Sequence, residues 1–366
     1  MVTKFKVIQW GVGYTGTSSL RYVVNNPNME LVGIKCFTKE KEGKSAKDLC
    51  GYGPADGVAA TRDRDTLLAT RADCVLFMPR DFFDDPSIPE GPSEEWMADL
   101  LAILESGANV STPLTCGINT RQLSNPQGFL DRINAACRKG SSTVTFTGFD
   151  PGFTTDYLAF VLAGAVGEVD QIRTWEFLDY STYPVAEILN ALGLGVSPEQ
   201  TRQSGPTVTA VWSSGLHLLG ESMGAPVEEV RFDIEIYSAP EDFTTSAGMA
   251  IKAGQTGAMW WKLRGFCGGR ERYVINHVTR MAPTMAPEWP SLGGDGGYRV
   301  EIDSYPPVRV DWPMGLPGGG GTSFADAMIM TAARCVNSVE AVVRSEPGYK
   351  LFPDLAPVGG KYTLRP

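Results

Sequence analysis

FKVIQWGVGYTGTSSLRYVVN, residues 5–25, is the stretch on which the fold turns. Its first six residues, Phe5 to Trp10, are an apolar run of strand length. Gly11, Gly13 and Gly16 follow at once, and a helical stretch runs from Ser18 to Asn25. A G-x-G-x-x-G that leaves a strand and opens a helix is the fingerprint of a dinucleotide-binding turn. Gly11 permits the tight turn, and Gly13 lets the backbone approach a pyrophosphate. Gly16 lets helix and strand pack closely, with the helix N-terminus facing the anion. Tyr14 and Thr15, between the last two glycines, join them as expected cofactor contacts. The plainer alternative is a glycine-rich turn with no ligand.

Working outward, the second strand is Glu30 to Phe37. An NAD site usually places an acid at the end of this strand, to bond the ribose 2′-hydroxyl. Here the strand runs into Cys36, Phe37, Thr38 and Lys39, and the nearest acid is Glu40. Thr38 can donate to a 2′-phosphate and Lys39 can pair with its charge, so NADPH is expected in preference to NADH. The alternative is that Lys39, Lys41 and Lys44 merely solvate a loop. A third apolar run, Cys74 to Met78, ends at Pro79, and Arg80 to Ser93 reads as a loop. Ser93 can cap a helix that carries Trp96, Met97, Leu100, Leu101 and Leu104 on one face and stops at Gly107. A strand over Asn109–Thr112, a helix from Asn125 to Gly140 and a strand over Thr143–Thr147 complete the set. Met78, Pro79, Thr112 and Pro113 follow two of these strand ends and are expected on the cofactor. Strands alternating with helices of this length imply a parallel, doubly wound sheet.

From Asp150 the pattern changes. Asp150-Pro151-Gly152 forms a turn, and a helical run covers Thr154 to Val166. Longer strands then follow with fewer helices between them. The first is Val169 to Tyr180, with Ile172, Thr174, Glu176, Leu178 and Tyr180 on one face. Arg173, Trp175, Phe177 and Asp179 occupy the other. Further strands are expected at Val230–Tyr237, Glu271–Thr279, Tyr298–Asp303 and Val308–Trp312, giving an open, largely antiparallel sheet with one face against helices. A glycine loop, Gly318–Gly321, leads into a long helix, Ser323–Arg344, and a tail, Pro347–Pro366, runs over the surface. The expected class is α/β: an N-terminal Rossmann domain (1–150), an α+β substrate and dimerisation domain (151–321), and a C-terminal helix and tail (322–366) packing back on the first.

Composition narrows the function. The chain has 366 residues, too many for one comfortable core. Its formal net charge of −10 disfavours nucleic acid and anionic membranes as partners. No apolar run reaches the roughly 18 residues of a membrane span. The chain enters a strand within its first residues with no cleavage signature, so a cytoplasmic location is expected. Seven cysteines, with no C-x-x-C pair, read as buried thiols, and with only two histidines no metal site is expected.

The runs TGFDPGFTTDYLAF, EFLDYSTY, NHVTRMAPTMAPEWP, ARCVNSVEAVV and PDLAPVGG together resemble one family. It is the dihydrodipicolinate-reductase-like group that includes NAD(P)H-dependent amine dehydrogenases and 2,4-diaminopentanoate dehydrogenase. The resemblance implies a Rossmann domain, a substrate domain whose sheet forms a dimer interface, and hydride transfer to or from a C=N carbon. It also implies a pocket between the domains, lined by the turn at Gly148–Phe153 and the strand at Glu176–Tyr183. That places Phe149, Asp150 and Tyr183 on the substrate. Two departures stand out. The His-His-x-x-Lys segment of dihydrodipicolinate reductases is missing. The glutamate that the group's amine dehydrogenases carry just beyond the strand matching Asn109–Thr112 is missing too, the window reading Thr112, Pro113, Leu114, Thr115 and Cys116.

The proton that must accompany a hydride then has to come from elsewhere. Glu176 is the first candidate for it and Tyr180 the second. A structural ion pair is the competing role for Glu176, and packing for Tyr180 and Tyr183. His217 and His277 read as core histidines. The expected function is an NAD(P)H-dependent oxidoreductase that reduces an imine, or a ketone or aldehyde by reductive amination, of a hydrophobic small molecule. Carbonyl reduction without an amine, and a catalytically idle NADP-binding redox sensor, are the alternatives.

Overall fold

The computed structural model describes residues 4–55, 57–79, 93–294, 296–361 and 363. The loop expected over Arg80–Ser93 lies outside these residues, except for Ser93. The chain divides into two compact units, Met1–Phe149 with Met328–Pro366, and Asp150–Ala327.

The first unit is a seven-stranded parallel sheet with helices on both faces. Its elements are β1 (Phe5–Trp10), α1 (Tyr14–Asn25), β2 (Met29–Lys35), α2 (Ala46–Cys50), β3 (Ala60–Thr61), α3 (Arg64–Leu68), β4 (Cys74–Phe77), α4 (Glu94–Glu105), β5 (Asn109–Thr112), α5 (Thr115–Ile118), α6 (Pro126–Gly140) and β6 (Thr143–Phe146). The last strand of the chain, Gly348–Lys350, pairs in parallel with β6, so the order is that strand, then β6-β5-β4-β1-β2-β3. Alternation along β1 and β4 feeds two cores. Val7, Cys74 and Leu76 pack with Val23 of α1 and with Cys335, Val336 and Val339 near the C-terminus. Ile8, Trp10, Val75 and Phe77 pack on the other face with α4 and α6. Ser93 caps α4 by accepting from the Trp96 amide, as its sequence predicts.

The second unit opens with α7 (Tyr157–Ala163) and β7 (Gly167–Asp179). It continues through α8 (Ala186–Leu192), α9 (Pro198–Arg202), α10 (Gly205–Ser222), β8 (Glu229–Ser238), β9 (Phe243–Thr244), β10 (Ala250–Ile251), β11 (Thr256–Cys267), β12 (Arg270–Arg280), β13 (Gly296–Tyr305) and β14 (Val308–Pro313). The long helix α11 (Ser323–Val343) and β15 (Gly348–Lys350) follow. Six strands form one sheet in the order β14-β13-β7-β12-β11-β8. Every neighbour pair is antiparallel except β7 with β12. The sequence reading did not find β11: its two tryptophans are adjacent, Trp260 on the half-buried face and Trp261 on the buried one, so the apolar run Ala258–Trp261 shows no alternation. The expected helix over Thr154–Val166 is confined to α7, and the preceding residues form successive turns. Tyr180 is not part of the strand either, since the chain leaves β7 at Asp179 and turns through a short 3-10 segment, Tyr180–Thr182. No helix among the described residues is long and apolar enough to cross a membrane.

Candidate active site

Two groups of residues, each inside one unit, carry chemistry. The first is the glycine turn between β1 and α1. Gly11 has φ +94°, and a Cβ there would stand 2.1 Å from the Met78 carbonyl oxygen. A Cβ on Gly16 would stand 2.1 Å from the Gly11 carbonyl oxygen. Both glycines are therefore demanded by backbone packing. Gly13 is different: a Cβ there would meet nothing within 4 Å, and its φ of −79° suits any residue. The room beside Gly13 is not filled by the protein, which fits an approaching pyrophosphate. Gly13 is the N-cap of α1, and no acidic side chain occupies the first turn of this twelve-residue helix. Its positive end thus faces no carboxylate of its own. Tyr14 is largely exposed, and the Thr15 hydroxyl contacts the Met328 sulfur at 3.4 Å. Met78 and Thr112 are buried at the ends of β4 and β5, each followed by its proline. Thr38 and Lys39 lie exposed just after β2. Lys41 does not merely solvate the loop, since it donates to the Val12 carbonyl at 2.7 Å.

The second group lies on one face of the six-stranded sheet, and strand register assembles it. Glu176 on β7 pairs with His277 on β12 and with Tyr298 on β13, and His277 pairs in turn with Trp261 on β11. Partners in register share a face, so these four side chains form one row across the sheet. Tyr298 donates to Glu176 Oε2 at 2.8 Å. Tyr180, turned back by the 3-10 segment, donates to Oε1 at 3.0 Å. His277 Nδ1 lies 3.4 Å from Glu176 Oε1, and its Nε2 lies 3.2 Å from Asp150 Oδ2. Trp261 stacks on the imidazole at 4.0 Å, and Trp212 of α10 meets it edge-on at 5.0 Å. The Tyr183 ring packs on Tyr180 at 5.5 Å and on Phe324 at 4.6 Å. Phe149 is buried as the last residue of the first unit's N-terminal segment.

The electrostatics follow from burial. The Glu176 and Asp150 side chains are only 4% and 3% exposed. Desolvation pushes Glu176 up to about 7, against the pull of His277 and the tyrosine hydroxyls. It pushes Asp150 up to about 7 as well. Burial drives His277 down to about 4, so the imidazole is neutral at pH 7. Both Glu176 oxygens accept tyrosine hydrogen bonds, whereas neither Asp150 oxygen nor His277 Nε2 has one of ordinary geometry. Glu176, Trp212 and Thr155 stand beside Asp150, none of them in ordinary hydrogen-bond alignment with it. Among the described residues no lysine or arginine is ion-paired with either carboxylate. Asp150, Glu176 and His277 each bring one ligand-type atom within 4.8 Å of the other two. That donor set could hold a divalent cation or share a proton.

Of the residues expected at the substrate, Glu176, Tyr180, Asp150 and Tyr183 thus come together. The sequence reading missed His277 and Tyr298. Strand parity alone could not align them with Glu176, because the parallel pairing of β7 with β12 has no local signature.

Comparison with known proteins agrees with this architecture. Residues 153–360, more than half of the chain, match the family of the 2,4-diaminopentanoate dehydrogenase C-terminal domain. An amine dehydrogenase of Streptomyces virginiae is 29% identical over 348 residues, covering 93% of either chain. Among solved structures, an amine dehydrogenase from Mycobacterium smegmatis shares the fold with a TM-score of 0.75 at 16% identity, covering 98% of both chains. A probable dehydrogenase from Thermotoga maritima follows at 0.53 and 15% identity, over 92% of this chain and 88% of its own. The resemblance carried by TGFDPGF and NHVTRMAPTMAPEWP is borne out: the chain is an oxidoreductase that belongs to the family of the 2,4-diaminopentanoate dehydrogenase C-terminal domain.

Proposed function

We propose that the protein is an NADPH-dependent reductase of C=N bonds, forming an amine from an imine or from a ketone or aldehyde plus ammonia. The substrate is a small hydrophobic molecule. The observation that carries this reading is the pair of buried carboxylates, Asp150 and Glu176, on the two sides of a neutral His277 with no cationic partner. Such groups hold and release a proton near neutrality, as general acid-base work requires. The nicotinamide, when bound, supplies the hydride. The protein's part is the proton: as hydride reaches the carbon, the nitrogen takes a proton and no free anion forms. Glu176 is the proton source in this reading, with the Tyr180 hydroxyl beside it. Asp150, whose oxygens have no aligned donor, turns to the substrate nitrogen, and Phe149 and Tyr183 wall the apolar part. This acid pair takes the place of the glutamate that the Thr112–Cys116 window lacks. The names of the relatives, both amine dehydrogenases, support amine chemistry.

The residues at the glycine turn fit a nicotinamide dinucleotide. Gly11, Gly13, Tyr14, Thr15 and Gly16 would hold its pyrophosphate, with Met78, Pro79, Thr112 and Pro113 at the strand ends beyond. Thr38 and Lys39 stand where an acid would select NAD, and the lack of that acid favours NADPH. The test follows NADPH absorbance with a panel of ketones, with and without ammonia. Ammonia-dependent oxidation of NADPH is expected. Glu176→Gln should cut turnover at least ~100-fold while leaving NADPH affinity unchanged. Equal turnover without ammonia would replace this reading by plain carbonyl reduction.

A further inference from the structure

We infer that Lys41 is the residue that reads the 2′-phosphate of NADP. This rests on the proposed NADPH preference and assigns it to one side chain. Three lysines, Lys39, Lys41 and Lys44, follow β2, and the fold treats them differently. The chain turns through a 3-10 segment, Lys39–Lys41, in which the Lys41 amide bonds back to the Thr38 carbonyl at 3.2 Å. That turn carries the Lys41 side chain back over the glycine turn, where its ammonium donates to Val12 O at 2.7 Å. Val12 sits between Gly11 and Gly13, and the Gly11 amide bonds to Lys35 O at the end of β2. The Lys41 ammonium therefore stands where the β2 end meets the glycine turn. In a dinucleotide-binding turn this is the ground of the adenosine ribose, contacted by the acid of NAD-selective sites.

The surroundings suit an anion there. The residues at the strand end, Cys36 and Phe37, are not acids. The neighbouring carboxylates are otherwise engaged. Glu40 is held low by its own backbone amide and by the Thr38 hydroxyl, and Glu42 accepts from the Arg62 amide. Lys41 has no carboxylate partner within ion-pair distance among the described residues, and only one of its three N–H groups is used on Val12. Lys39 lies exposed at the start of the turn, and Lys44 is exposed beyond it.

The experiment titrates the full chain with NADPH, NADH, 2′,5′-ADP and 5′-AMP by calorimetry. Wild type, Lys41→Gln, Lys41→Arg and Lys39→Gln are compared. Lys41→Gln is expected to weaken NADPH and 2′,5′-ADP at least ~10-fold while NADH and 5′-AMP change less than about 2-fold. Lys41→Arg should keep the discrimination, and Lys39→Gln should reduce it less than about 3-fold. Equal losses for all four ligands in Lys41→Gln would make Lys41 a brace of the glycine turn and overturn the inference. So would a Lys41→Gln protein that still prefers NADPH as wild type does. A wild type that binds NADH as tightly as NADPH overturns the cofactor preference itself, and this inference with it.

Discussion

Glu176 is held among groups that pull its proton affinity in opposite directions. Burial and the neighbouring Asp150 carboxyl raise it, and His277 and the two tyrosine donors lower it, with the balance reaching about 7. A carboxyl whose folded value lies above its unfolded one contributes stability below about pH 4. That contribution is lost as pH rises through about 7. His277, driven down to about 4, has the opposite slope: its contribution is present above about 6.5 and is lost as pH falls toward 4. Replacing Glu176 by Gln removes the first slope. The melting temperature of Glu176→Gln relative to wild type should therefore be higher at about pH 8 than at about pH 5. A difference that does not change with pH would mean that Glu176 titrates normally. In activity, reduction should decline as pH rises through about 7, since the donor must be protonated, and pH–rate profiles of wild type and variant compare directly. Strand parity was enough to place Glu176 on the inner face. It could not supply His277, which reads in isolation as a polar residue within the apolar run Val274–Val278.

Two elements show how local sequence sets local structure. In the glycine turn, Gly11 and Gly13 look alike in sequence but answer to different demands. Gly11→Ala forces a Cβ onto the Met78 carbonyl in a left-handed conformation, and should cost roughly 2–4 kcal/mol of stability. Gly13→Ala meets no protein atom, so its melting curve should shift by less than about 1 kcal/mol while NADPH binding falls at least ~10-fold. Thermal melts paired with titrations separate the two. The second element is the segment after β12. Arg280 is 8% exposed, and its guanidinium donates to the carbonyls of Met285, Ala286, Trp289 and Pro290. Arg280→Met leaves these acceptors short of donors and should destabilise by about 2–4 kcal/mol in urea unfolding. The motif NHVTRMAPTMAPEWP thus contains the donor that organises its own loop. Sequence inspection places the arginine at a strand end but not its four acceptors, which converge only once the chain has curled.

For the molecule as a whole, the central five strands of the parallel sheet were legible because each is an apolar run followed by a helical pattern, whereas the short edge strands β3 and Gly348–Lys350, two and three residues long, carry no such pattern. The second sheet was legible as a class only, since its order joins β7 to β12 across nearly a hundred residues. Its face opposite Glu176 presents Arg173, Trp175, Trp260, Lys262 and Arg264, none of them fully buried. There Lys262 lies 3.8 Å over the Trp260 ring, and Trp175 donates to Glu301 at 2.9 Å. This mixture of aromatics and arginines with charges of both signs suits a second copy of the same surface. A homodimer is the expected state, and sedimentation showing a monomer at micromolar concentration would exclude it. The chain's division into units also has a consequence for synthesis. Residues Met328–Pro366 belong with Met1–Phe149, supplying β15 at the sheet edge and Cys335, Val336 and Val339 over Val7 and Leu76. Met1–Phe149 is therefore synthesised before the segment that completes the cover of one of its apolar faces, whereas Asp150–Ala327 holds its sheet within one continuous segment. A fragment ending at Phe149 should therefore aggregate more readily than the full chain at the same concentration.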